Sequence, residues 1–180
     1  MASYILYLFL SFFTADWAVS TDVAPGHTET PEERAARVDM IVAVVADEAV
    51  EFAKGSPFGA KALAAATLTK WHRESRFAHD VHAGFPGRYG SDRGRARGLG
   101  QIHVSGLVQR HEWEQLAGTD EESTRRCARA TMRVLSAMAR YCSTTELDVV
   151  FGAYGTGAGC RATESSRQRA RRAQALIARL

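Results

Sequence analysis

Apolar residues recur at three- and four-residue intervals along most of the chain, the rhythm of helices with one buried face. Val38, Ile41, Val42, Val45, Ala49 and Phe52 mark the first such face. Thr30 and Glu33 have capping-box spacing and Pro31 fits the first helical position, so a helix is predicted to about Ala53, stopping at Lys54-Gly55. Ser56-Pro57 reads as the start of a second helix with the stripe Ala60, Leu63, Ala64, Thr67, Leu68 and Trp71. The next positions on that stripe are Glu74 and Ser75. Thr119 with Glu122, and Ser143 with Glu146, repeat the capping-box spacing. They predict a helix over about 120–142, faced by Cys127, Thr131, Val134, Met138 and Cys142, and a short apolar helix in "LDVVFGAYG" ended by "GTGAG". A last helix, about 164–180, sets Ala170, Ala173, Ile177 and Leu180 opposite an arginine-rich side that reads as a solvated face.

Residues 78–100 break the rhythm. They are dense in Gly and Arg, no helix fits them, and any strands would be short. A loop of that length inside a compact domain usually serves function. Helical pattern over "SGLVQRHEWEQLAG" is weak. With no internal repeat and no strand-rich region, the fold class is mainly α, with a possible short β-hairpin in the Gly-rich segment.

The N-terminus differs from the rest. "YILYLFLSFF" is too short to span a bilayer comfortably, and "AVS" ending at Ser20 resembles a small-residue cleavage site. Residues 1–20 therefore read as a signal peptide, with a membrane anchor as the alternative because no Lys or Arg precedes the run; a mis-assigned start codon is a third reading. Export to the periplasm or cell envelope follows from the first. Residues 21–29 read as a polar linker, and 30–180 as one domain. Cys127 and Cys142 would lie roughly 22 Å apart on one helix, too far to bridge. Any disulfide must use Cys160; Cys142 is the favoured partner over Cys127, and three unpaired thiols is the alternative.

Composition is that of a globular protein, 46% hydrophobic and 24% charged, with a net charge of +3 and only three lysines, Lys54, Lys61 and Lys70. A mild positive balance suits anionic polymers, or reflects an Arg-favouring genome. No nucleic-acid recognition motif is present. "HDVH" (His79, His82) invites a metal reading but lacks further Cys or His at matching distance, and "HEWE" lacks the second His of a zinc-protease helix. No metal and no cofactor is expected.

Glu74 is the residue that asks for an explanation. A carboxylate on the inner edge of a helix is costly unless paired, solvated or used. Partial desolvation and the negative end of the helix dipole would favour its protonated form, which suits a proton donor. Three segments lie in order along the chain: "ESRF" (74–77), "GLGQI" (98–102) and "GAYGTG" (152–157). Together they resemble the lysozyme-like lytic transglycosylases, of the soluble murein transglycosylase type, over roughly residues 35–180.

The resemblance implies a lysozyme-like fold and cleavage of the β-1,4 bond between N-acetylmuramic acid and N-acetylglucosamine in peptidoglycan, with 1,6-anhydromuramic ends. It implies Glu74 as acid and then base, Ser75 bonding substrate or steadying the site, Gln101 contacting the sugar, and Tyr154 placing its hydroxyl near Glu74. Peptidoglycan strands would be the partner, with a secretion or conjugation apparatus or a phage particle as further possibilities, for a monomer. The chain departs from the family pattern at Gly155, where an Asn is usual, at Thr156, and at Gly100, where a Met is common and the smaller residue would leave room in the cleft. A hydrolytic lysozyme would need a second carboxylate, for which Asp92 and Asp80 are the candidates. An inactive glycan-binding or secretion-apparatus module is the non-enzyme alternative.

Overall fold

The computed structural model describes residues 18–85, 94–156 and 159–179. Among them are seven helices and one two-stranded antiparallel sheet, so the protein is mainly α. The helices are α1 (Pro31–Ala53), α2 (Ala60–Ser75), α3 (His79–His82), α4 (Arg110–Trp113), α5 (Glu121–Tyr141), α6 (Leu147–Thr156) and α7 (Glu164–Ile177). Strands β1 (Ala96–Arg97) and β2 (Ile102–His103) pair Ala96 with His103 and Arg97 with Ile102. They supply the short hairpin expected in the Gly-rich stretch.

α1 begins as its sequence predicts. Thr30 and Glu33 close a reciprocal capping box and Pro31 occupies the first turn. Its buried positions include Val38, Ile41, Val42, Val45 and Ala49, the face read from spacing. Three other helix starts need correction, while the last helix begins at Glu164 as expected. Ser56-Pro57 does not open α2: the Ser56 hydroxyl meets that of Ser136 and accepts from the Phe58 N–H, which holds a turn, and the helix starts at Ala60. α5 is capped by Asp120, not Thr119; the aspartate accepts from the Ser123 N–H. Ser143 does not cap α6, because it sits at φ 51 in the left-handed region that ends α5; the Thr144 hydroxyl accepts from Glu146 instead.

α2 is the central helix. It packs against α1, α5 and α7, and is buried almost all round from Leu63 to His72. The stripe read from sequence is one side of a helix with neighbours on several. Ala64, Ala65 and Ala66 let those neighbours approach. α1 and α5 are tied by buried Glu48, which accepts from Arg125 and Arg129 at 2.6 Å each. Burial alone would raise that carboxyl, but the two guanidinium groups outweigh it and hold it below its ordinary range.

Residues 18–29, which include the stretch read as a linker, lie against the end of α2. The Ser20 N–H donates to the Arg76 carbonyl and the His79 N–H to that of Asp22, while Ala24 is buried. Glu29 accepts from Arg37 at 2.6 Å, and Arg37 also donates to the Phe77 carbonyl. The apolar run before Ala18 lies outside the described residues. No helix among the described residues is long and apolar enough to cross a membrane.

Cys142 and Cys160 form a disulfide, and Cys127 is free and buried. The bond joins the end of α5 to the segment before α7 across 18 residues of sequence. A closed loop of that size restricts the unfolded chain by about 3 kcal/mol. Reduction, or the double substitution Cys142→Ser with Cys160→Ser, is expected to lower the unfolding free energy by about that amount in urea titrations.

Candidate functional site

The site forms where α2 ends. The Arg76 N–H returns to the His72 carbonyl, and Arg76 and Phe77 take φ of 47 and 54. Two consecutive non-glycine residues in the left-handed region store strain, which buried Phe77 and the Arg37 bond to its carbonyl hold in place. Ser75 is buried at this turn. Its hydroxyl donates to the Trp71 carbonyl at 2.8 Å and accepts from the Phe77 N–H at 3.2 Å. The single proton is used, so Ser75 steadies the helix end and has none to offer a substrate.

Glu74 is neither dry and unpaired nor turned into bulk water; its side chain is 26% exposed. Oε1 accepts from Lys70 Nζ at 2.7 Å and lies 3.5 Å from Nη1 of Arg169 on α7. No hydrogen bond to Oε2 is made among the described residues. The carboxyl therefore has one oxygen fixed by two cations and one left open. The sequence reading anticipated neither cation. Lys70 was detectable in principle, since it lies four residues before Glu74 on the same helix face. Arg169 arrives from 95 positions later through tertiary packing alone.

The Lys70 ammonium is almost wholly buried, with a side chain 4% exposed, and lies 4.2 Å from the centre of the Tyr154 ring. That is cation–π distance. Desolvation pulls the ammonium down to about 8; Glu74 opposes this, while Arg169 and Arg73 add to it. The Tyr154 phenol is raised, first by burial and then by Cys127 and Glu74, and keeps its proton. Tyr154 thus reaches the site through its ring and Lys70, and the Glu74 charge acts on its phenol without a hydrogen bond between them.

Gln101 sits at φ 48 and folds back on its own turn, both its backbone N–H and its Nε2 donating to the Gly98 carbonyl at 3.0 Å. It makes no hydrogen bond to Glu74. The segment Gly98–Gln101 is pressed against α2 and α5. A Cβ on Gly100 would lie 2.8 Å from both Trp71 Nε1 and Thr131 Oγ1, which are themselves bonded at 2.9 Å. Gly100 therefore admits close backbone approach, and the extra cleft room expected from it is absent.

Asp80 is buried, and its Oδ1 accepts from the next N–H along its own short helix; no hydrogen bond or ion pair links it to Glu74. Asp92 and the side chains at 155–156 lie outside the described residues. His79 and His82 lie on α3, a helix the sequence reading missed. His79 Nδ1 accepts from the Ala24 N–H and His82 Nε2 meets the Thr124 hydroxyl. Burial drives His82 down to about 3, so it is neutral. Among the described residues no group of three or more His, Cys, Asp or Glu is placed to hold a metal. Comparison of the chain with family models, curated proteins and solved structures gives no match.

Two measurements test this geometry. Gly100→Ala is expected to lower stability by about 1–3 kcal/mol, the cost of overpacking, read by urea unfolding followed through tryptophan fluorescence. Lys70 supplies the second. An unfolded lysine keeps its proton to about 10.4, while folded Lys70 loses it near 8, so between those values the unfolded chain binds more protons. Its contribution to the unfolding free energy therefore rises with pH across that window. Unfolding at pH 7.5 and 9.5 should show a smaller difference for Lys70→Met than for the wild type.

Proposed function

We propose that the chain is a lysozyme-like lytic transglycosylase domain that acts on peptidoglycan strands in the cell envelope, with Glu74 as acid and base. The observation that carries this reading is the divided carboxyl of Glu74 at a helix tip. Oε1 accepts from Lys70 and lies 3.5 Å from Arg169, while Oε2 has no hydrogen bond among the described residues and the side chain is partly exposed. Fixing one oxygen orients the other, which is what a proton-transferring group needs. The ordered segments 74–77, 98–102 and 152–157 add to it, since Lys70 joins the first to Tyr154 in the third.

The chemistry runs as two proton transfers. With its proton on Oε2, Glu74 protonates the glycosidic oxygen as that bond breaks. With Asp80 engaged on its own helix, the substrate's 2-acetamido group attacks the anomeric carbon in place of a second carboxylate. Glu74, now a carboxylate, takes the proton of the 6-hydroxyl. That oxygen closes onto the anomeric carbon and expels the acetamido group. A 1,6-anhydro end results, and Glu74 is again protonated. Intramolecular attack needs no second bound reactant, so proximity favours it. Ser75 holds the helix end, and the Tyr154 ring supports the ammonium that pins Oε1.

One observation favours a second reading. A carboxylate flanked by two cations is also what a module retaining the fold without catalysis would hold. A digest of purified peptidoglycan separates the two. The wild type is expected to release anhydro-ended muropeptides, and Glu74→Gln to lose at least ~100-fold of that rate. Reducing ends from the wild type would indicate hydrolysis. No release from either protein, with strands still bound in a pull-down, would leave the binding module.

A further inference from the structure

A cavity of about 300 Å³ opens between α2 and α7, on the face of α2 next to the one that carries Lys70 and Glu74. Arg73 and Arg76 line it from the end of α2, and Arg169 and Arg172 from α7, with Thr69 and His72 beside them. No acidic side chain contributes to its wall. Several arginines elsewhere are answered by carboxylates: Arg34 and Arg37 by Glu29, Arg125 and Arg129 by Glu48, Arg126 by Glu122. Arg73, Arg76 and Arg172 have no hydrogen-bonded or ion-paired carboxylate among the described residues. Four guanidinium groups around one hollow repel each other, and this arrangement calls for an anion.

The hollow also contains buried donors without acceptors. Arg169 Nε and Nη1 are buried with no hydrogen-bond partner, the 3.5 Å approach to Glu74 being an ion pair without a hydrogen bond. The Thr69 hydroxyl is buried and unpartnered too, in a residue only 2% exposed. A buried donor left unsatisfied is destabilising unless something accepts from it. The His72 ring brings no charge to the wall. Its Nε2–H donates to the Ala18 carbonyl at 3.3 Å, and burial drives the imidazole down to about 4, so it is neutral. The site is thus rich in donors and positive charge.

We propose that this cavity binds the phosphate group of a phosphorylated ligand, gripped by Arg73, Arg76, Arg169 and Arg172 with the Thr69 hydroxyl as a further donor. Guanidinium forks match the spacing of phosphate oxygens and bond them in pairs, which a single lysine does not. A bare phosphate is too small to fill the space, so the ligand carries further atoms; the volume is at the lower end for small-molecule sites. The site shares Arg169 with the surroundings of Glu74, and the proposal does not depend on the glycan-cleaving chemistry.

The test is calorimetric titration of the full chain with inorganic phosphate, at constant ionic strength against chloride. Saturable binding at one site is expected for the wild type. Arg73→Gln with Arg172→Gln, both at exposed positions, should weaken it tenfold or more while the urea midpoint stays unchanged. Arg126→Gln, on another helix, should bind as the wild type does. Absence of saturable binding by the wild type, or equal binding by the double variant, would overturn the proposal. Phosphatidylglycerol vesicles identify the source. Co-sedimentation lost in the double variant makes the ligand a lipid headgroup; phosphate binding without co-sedimentation makes it a soluble phosphate.

Discussion

A lysine ammonium buried in the middle of a protein must be compensated or lose its proton, and much of this structure is arranged around that constraint. Lys70 is on the central helix, packed on several sides, and its nearest charged group is one oxygen of Glu74. Hydration is replaced by one carboxylate oxygen and the face of one aromatic ring. That is less than water gives, which is why desolvation outweighs the Glu74 attraction in setting where Lys70 gives up its proton. The pairing also fixes the place of Glu74: the carboxyl cannot swing away from the helix tip without leaving an uncompensated charge behind it.

Arg169 extends the same constraint across the molecule. It is on α7, yet it touches the oxygen that Lys70 holds, and its other edge faces the arginine-lined cavity. One guanidinium thus belongs to two electrostatic neighbourhoods. On one side it meets a carboxylate; on the other it meets three more cations. An anion in the cavity would satisfy the donors that Glu74 leaves free, and need not compete for Oε1. The two sites share a residue without sharing a ligand.

Local signals in the sequence specify local structure well. The capping box at Thr30, the face of α1 and the extent of α5 all follow from spacing within a few turns of chain. Helix geometry excluded a Cys127–Cys142 bridge, and the Cys142–Cys160 pair present in the structure is the one favoured for its compact intervening segment. What was not legible depended on contacts between distant segments. α2 reads as amphipathic because Thr69, Lys70 and His72 are polar, and only the packing of α1, α5 and α7 around it makes those positions buried. Gly100 reads as spare room, and only the arrival of Trp71 and Thr131 shows it to be a point of closest approach. The polar segment 21–29 reads as a linker because its anchoring runs through backbone bonds and the Glu29–Arg37 ion pair, which no apolar periodicity reveals.

The same distinction explains the outcome at Glu74. Its place at a helix tip on the inner edge was readable, because that follows from helical periodicity. Its partners were not, because a desolvated carboxyl in an arginine-rich chain attracts whatever cation folding brings near. Here folding brings two cations to the same oxygen, an arrangement more selective than general neutralisation. A carboxyl bridged through both oxygens would have no free position for a proton in flight. Bonded through one, it keeps its orientation and its second oxygen. Whether the group acts on a glycosidic bond or only holds a helix end, this asymmetry is the physical difference between a structural ion pair and a carboxyl that can still do chemistry.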